Sequence, residues 1–253
     1  MDYLIALAGA ILAGSINTLS GNGSAITLTI LMELLGLPAD VANGTNRVGV
    51  LGNGLAATFG FQRAGRYDLA EDRRRDMYRI IAITTVGAIV GVYLSLIVSN
   101  AVYRSIFRYL LVVMLIVILV KPKRWLREAR EARSLPLYVS IPLFFAIGIY
   151  GGFIQMGMGV FFLAIMVLVA RYEIIQGNVV KVLVVTIYTL LAVGIYAYRG
   201  LINWEIGLLM AFGQMIGGFL TAKYAAQHPR AGEFTYWLLV VVILLGIWWA
   251  FFY

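Results

Sequence analysis

The sequence predicts an all-α polytopic membrane protein built from two inverted-topology repeats. Each repeat is read as a broken, re-entrant helical hairpin followed by three transmembrane helices. Three observations carry this. Hydrophobic residues make up 62% of the 253 and charged residues 13%, about half the charged share of an average globular chain. A polar, glycine-bearing break interrupts the first apolar region and returns in the second half. The basic residues gather in two short loops.

The first break reads Gly14-Ser15-Ile16-Asn17-Thr18-Leu19-Ser20-Gly21-Asn22-Gly23-Ser24. Its apolar flanks, Leu4–Ala13 and Ala25–Leu35, fall short of the roughly 20 residues a spanning helix needs. Glycine, asparagine and hydroxyl residues open a helix rather than continue it. Non-helical backbone at membrane depth is tolerated only inside protein or beside a wet cavity. A shift of 134 positions carries Gly14 onto Gly148, Gly23 onto Gly157, Arg47 onto Lys181 and Gly60 onto Gly194. Broken segments at matching places in two halves point to the binding site of a secondary transporter.

Ten apolar segments are expected: 3–16, 24–36, 40–62, 78–98, 104–120, 136–151, 159–171, 174–198, 203–223 and 235–253. The first two and the sixth and seventh are short pairs joined by the breaks. Residues 1–120 form the first repeat, 121–135 a cytoplasmic linker and 136–253 the second repeat. Arg63, Arg66, Arg73, Arg74, Arg75 and Arg79 mark one loop; Lys121, Lys123, Arg124, Arg127, Arg130 and Arg133 mark the other. Both are assigned to the cytoplasm by the positive-inside rule. Making the sixth and seventh segments a cytoplasmic re-entrant hairpin keeps Lys223, His228 and Arg230 inside as well. Each repeat then carries an odd number of spans, so the halves have opposite orientation. Gly87 and Gly91 match Gly213 and Gly217 in the third span of each half, a spacing that lets helices approach closely. Trp248, Trp249, Phe251, Phe252 and Tyr253 suit an interfacial aromatic belt.

The formal charge of +8 is explained by these loops and by attraction to anionic head groups, so nucleic acid is not expected as a partner. There are no cysteines, which removes disulfides and thiolate chemistry. The lone histidine, His228, lies beside Pro229. No HExxH, GxSxG or P-loop occurs. Neither an enzyme nor a cofactor or metal site is expected. The N-terminus lacks the basic start of a signal peptide.

Two cations fall within apolar segments. Arg47 follows Asn43 and Asn46, and Lys181 follows Asn178. A cation at membrane depth costs at least about 2.5–3.5 kcal/mol on insertion scales, so an intramembrane one is a functional candidate. Pairing of Arg47 with Asp40 or Glu33, or snorkelling to the surface, is the structural alternative. Helix starts near Ser24 and Gly159 would offer amides to an anion. Gly21, Gly23, Gly157 and Gly159 would let backbone come close, while Thr18, Ser20, Asn22 and Gln155 add polar groups; as single residues these are equally helix breakers or caps. The candidate substrate-binding set is therefore Arg47, Lys181, Asn46, Asn43, Asn178, Gln155, Asn22, Gly23, Ser24, Ser20, Gly157 and Gly159. Met156 and Met158 are assigned to packing rather than metal ligation; Tyr188 could line the pathway, with helix–helix packing the preferred role. Glu33, Asp40, Glu173 and Glu205 lie near segment ends, so a carboxylate proton relay has little support. Proton coupling, if any, falls to Lys181. A passive anion channel or a partner-binding membrane subunit would use the same features.

The two breaks, the run Leu35-Gly36-Leu37-Pro38-Ala39-Asp40-Val41-Ala42-Asn43-Gly44-Thr45-Asn46-Arg47-Val48, the run Gly151-Gly152-Phe153-Ile154-Gln155 and the Asn178…Lys181 pair resemble the TauE/SafE sulfite exporter family. The resemblance implies a bacterial or archaeal inner-membrane transporter of sulfite, thiosulfate or organosulfonates. That family often carries a glycine triplet at the break. Here the breaks read Gly21-Asn22-Gly23 and Gly157-Met158-Gly159.

Overall fold

A computed structural model of the protein describes residues 2–66, 71–99 and 135–225, with single positions between 102 and 119 and between 228 and 248. The basic linker 121–133, the aromatic residues Trp249, Phe251, Phe252 and Tyr253, and the side chains of Glu33 and Arg73 lie outside the described residues. Most of the fifth and tenth apolar segments does too.

The described residues are helical, without strands. The elements are α1 (Asp2–Leu19), α2 (Ser24–Thr29) with a π-turn (Ile30–Leu34), α3 (Ala39–Arg63), α4 (Glu71–Ile97), α5 (Leu137–Phe153), α6 (Met158–Ala164) with a π-turn (Ile165–Val169), α7 (Ile174–Tyr198) and α8 (Trp204–Lys223). By length and composition, Asp2–Leu19, Arg74–Ile97, Ile174–Tyr198 and Trp204–Lys223 can cross a membrane. α1 is thus longer than its sequence suggests. Hydroxyl residues did not open it. Thr18 donates to the Gly14 carbonyl at 2.9 Å and Ser20 to the Ile16 carbonyl at 2.8 Å. Back-bonding of this kind satisfies the hydroxyl within the helix. The first break therefore shrinks to Ser20–Gly23, and the second to Ile154–Gly157.

Gly21 ends α1 at φ +77 and Gln155 follows α5 at φ +54. Both are left-handed, a conformation glycine adopts freely and glutamine only against about 1–2 kcal/mol of strain. After each break the chain folds back. A Cβ on Gly23 would collide with the Ala13 carbonyl, and one on Gly9 with the Ile30 side chain. In the second half the Tyr150 and Phe161 rings meet edge-on at 5.3 Å, and Phe144 faces Phe162 at 5.7 Å.

Helix pairing repeats between halves. α1 packs on α8, and its counterpart α5 packs on α4; α3 packs on α8, and α7 on α4; α3 and α7 meet each other. Close approach depends on glycine in both copies. A Cβ on Gly87 would meet the Phe145 carbonyl, and one on Gly217 the Ile11 carbonyl. Phe145 and Ile11 correspond under the shift of 134, so Gly87 is equivalent to Gly217, not Gly213. Backbone carbonyls cannot turn aside as side-chain ends can. Gly217→Leu is expected to push α8 off α1 and cost about 3 kcal/mol, measured as a fall in the thermal midpoint of the purified protein.

The register changes by one residue after the breaks. α2 has six residues and α6 has seven. From there on the shift is 135, as Ala39–Arg63 and Ile174–Tyr198 show. Asn43 then matches Asn178, and Asn46, not Arg47, matches Lys181. The two cations are not at equivalent helix positions.

Candidate functional site

The first break touches the start of α6. A Cβ on Gly21 would collide with the Cα of Gly159, and one on Gly159 with the Cα of Gly21. Beside this contact lies a buried cavity of about 30 Å³. Ser24, Gln155, Gly159, Lys181 and Tyr188 line it, with Asn17 and Asn53. That volume is above the roughly 10–15 Å³ that one water needs.

Lys181 is 2% exposed. Its Nζ donates to the Asn17 carbonyl at 2.9 Å, the Thr18 carbonyl at 3.1 Å and Asn178 Oδ1 at 2.6 Å. Three donors meet three acceptors. Arg47 is fully buried. Its guanidinium donates to the Gly151 carbonyl at 3.0 Å and the Gly152 carbonyl at 2.6 Å, and lies 5.7 Å from the centre of the Tyr196 ring. The contact with Tyr196 adds a cation–π term.

These partners are related. Asn17 and Thr18 end α1; Gly151 and Gly152 are their counterparts at the end of α5. Each cation therefore reaches across to the other half and caps its broken helix. Last-turn carbonyls lack intrahelical donors and carry the negative end of the helix dipole. The Asn17 carbonyl also accepts from Gly21 N at 3.1 Å; the cations add further donors and the opposite charge. Asp40, the suggested salt-bridge partner of Arg47, is exposed and accepts from Val41 N.

The remaining candidates divide. Ser24, Gln155 and Gly159 reach the cavity with Lys181; Arg47, Asn43, Asn46, Asn178, Asn22, Ser20, Gly23 and Gly157 are not on its wall. Gln155 donates to Thr189 Oγ1 at 3.0 Å, leaving its Oε1 without a partner among the described residues. Asn46 accepts from Thr27 Oγ1 at 2.5 Å, and Asn43 donates to the Tyr196 hydroxyl at 2.8 Å. That hydroxyl also bonds Ser95 Oγ at 2.8 Å, tying α3, α7 and α4 together. Asn22 is fully buried, with neither amide atom partnered among the described residues. Gly157 is left-handed at φ 75 and caps α6. Asp40, Glu173 and Glu205 sit at helix starts, and no group of metal-binding side chains occurs among the described residues.

Sequence reasoning missed several cavity residues. Asn17 Oδ1 accepts from Gly23 N at 2.7 Å and its Nδ2 donates to Gln214 Oε1 at 3.3 Å, so it pins the first tip to α1 and α8. Asn53, with its amide nitrogen toward them, donates to the Gly14 and Gln214 carbonyls at 3.0 Å each. The available signal was a carboxamide inside an otherwise small and apolar helix face. Tyr188, for which the sequence favours packing over lining the pathway, lines the cavity. Asn17→Ala removes the tip's amide acceptor. It is expected to cost about 1–3 kcal/mol, read as a lower unfolding midpoint.

Residues 6–249 match the family model described as "Sulfite exporter TauE/SafE". Among curated proteins, the chain is 28% identical over 217 residues to "Probable membrane transporter protein ORF9" of Sinorhizobium sp, covering 85% of this chain and 80% of that protein. It is 26% identical over 214 residues to "Probable membrane transporter protein YfcA" of Escherichia coli strain K12, covering 85% and 77%. A "Probable membrane transporter protein" of Haemophilus influenzae is 24% identical over 211 residues, covering 83% and 80%. No solved structure matches the chain. With a family model spanning nearly all of its length and apolar helices able to cross a membrane, this chain is a multi-pass membrane transporter and belongs to the TauE/SafE sulfite exporter family.

Proposed function

We propose that the protein is a secondary transporter in a bacterial-type inner membrane that exports sulfite or a related small sulfur oxyanion. The observation that carries this is the meeting of two broken helices, Gly21 against Gly159, beside a buried cavity with Lys181 on its wall. Half-helix breaks at the middle of inverted repeats are where carriers bind substrate. The anion takes the cavity after the tips separate. Lys181 supplies charge, and Ser24, Gln155 and Tyr188 supply hydrogen bonds. Arg47, capping α5, holds the second tip in place rather than touching the anion. The two repeats, 1–120 and 136–253 joined by the linker 121–135, have opposite orientation and rock against each other to alternate access. The family relation supports the substrate class.

Sulfite or thiosulfate is expected to stabilise the purified protein by roughly 2.7 kcal/mol at a hundred times its dissociation constant. Lys181→Ala removes that stabilisation. In proteoliposomes, unlabelled sulfite on the far side accelerates labelled sulfite entry. Absence of such exchange with a conductance present would establish a channel instead. A protein that no sulfur oxyanion stabilises would fit a partner-binding subunit.

A further inference from the structure

Lys181 Nζ occupies a cradle made only of oxygen. Two of its acceptors, the Asn17 and Thr18 carbonyls, close the last turn of α1, and the third is Asn178 Oδ1. All three residues are buried, with Thr18 and Asn178 fully so. In carriers built from broken helices, the C-terminal ends of half-helices and unwound carbonyls are where coupling cations bind. Here the chain's own ammonium stands in that position.

We propose that Asn17, Thr18 and Asn178 form a monovalent-cation site whose resident is the tethered ammonium of Lys181, so that the protein works without Na⁺. An ammonium on a flexible stem is a compact point charge, and oxygen dipoles at a helix end stabilise such a charge whether or not it is tethered. The Arg47 cradle differs. It offers two carbonyls to a planar fork, geometry suited to a delocalised guanidinium and not to a spherical ion. The site is therefore one-sided, at the end of α1 alone. The sequence points the same way once the register is corrected. The counterpart of Lys181 is Asn46, an uncharged residue that bonds Thr27, so the ammonium belongs to one cradle and not to a symmetric pair.

The test deletes the stem and offers the cation free. Lys181→Ala lacks the three outer carbons and the nitrogen that n-propylammonium restores. Full-length Lys181→Ala is expected to gain about 2–4 °C in thermal midpoint when n-propylammonium or Na⁺ stands several-fold above its dissociation constant. Tetramethylammonium, too bulky for the cradle, gives no gain. The wild type, its cradle filled, gains less than half a degree from any of the three, on the order of measurement error. Lys181→Met, which fills the stem's volume without charge, stays unresponsive. Equal responses of Lys181→Ala and wild type to both small cations overturn the proposal. An independent arm needs no variant: wild-type flux is the same with choline replacing Na⁺, and a strict Na⁺ requirement overturns the proposal. The flux arm rests on the transporter reading; the stability arm does not. Wild-type vesicles that move no sulfur oxyanion would therefore count against the substrate, while the midpoints still decide the cation site.

Discussion

Gly159→Val is expected to abolish transport and to cost about 3 kcal/mol or more of stability. The new Cβ would collide with the Cα of Gly21, and backbone carbon cannot be rotated away. The neighbouring turns leave no slack. α1 is held through Asn17 to Gly23 N, and α5 through Arg47 to Gly151 and Gly152. Movement of either tip therefore strains a cap. Gly21→Ala meets the same wall and adds left-handed strain at φ +77, about 1–2 kcal/mol. Gly194→Ala is the control. Gly194 lies inside α7 with nothing within 4 Å of a built Cβ. There the helix gains about 0.5–1 kcal/mol from losing a glycine. Thermal midpoints in detergent, at about 2–4 °C per kcal/mol for a chain of this size, separate the variants. Equal midpoints for Gly159→Val and Gly194→Ala would mean that the tips do not meet.

The contact between tips explains which parts of the site were legible in the sequence. Glycine and asparagine inside an apolar run announce broken helices, because lipid forbids unsatisfied backbone. Their recurrence announced the second break. The length of each break was not legible, since Thr18 and Ser20 look like helix openers and instead bond back into α1. Register was lost for a related reason. One extra residue in α6 is invisible among apolar residues, yet it turns the next helix by about 100°. Arg47 and Lys181 therefore looked like repeat mates. What they share is a pair of equivalent carbonyl partners, and partners across the two halves cannot be read from one strand of sequence. Gly87 was matched to Gly213 for the same cause: both pairs of small residues fit a four-residue spacing, and only the opposing carbonyls at Phe145 and Ile11 fix which turn is which. Asn53 and Tyr188 were legible as residue types but not as directions, because α3 and α7 bury more than one face.

Arg47→Ala is expected to be strongly destabilising. It leaves the Gly151 and Gly152 carbonyls without donors in a buried site, at about 1–3 kcal/mol for each unmet acceptor, and empties the volume of a fully buried side chain. A total of about 3–5 kcal/mol follows when the end of α5 relaxes in part. Arg47→Lys keeps charge but not the two-pronged fork, so it restores one bond of the two and falls between. Binding should separate from stability. Lys181 is on the cavity wall and Arg47 is not, so Lys181→Ala weakens sulfite binding at a moderate loss of midpoint. Arg47→Lys lowers the midpoint and changes the dissociation constant less than threefold, under about 0.7 kcal/mol. The concentration dependence of the thermal shift measures both quantities in one titration. A dissociation constant that rises as far in Arg47→Lys as in Lys181→Ala would move Arg47 from the scaffold of the second tip into the anion site itself.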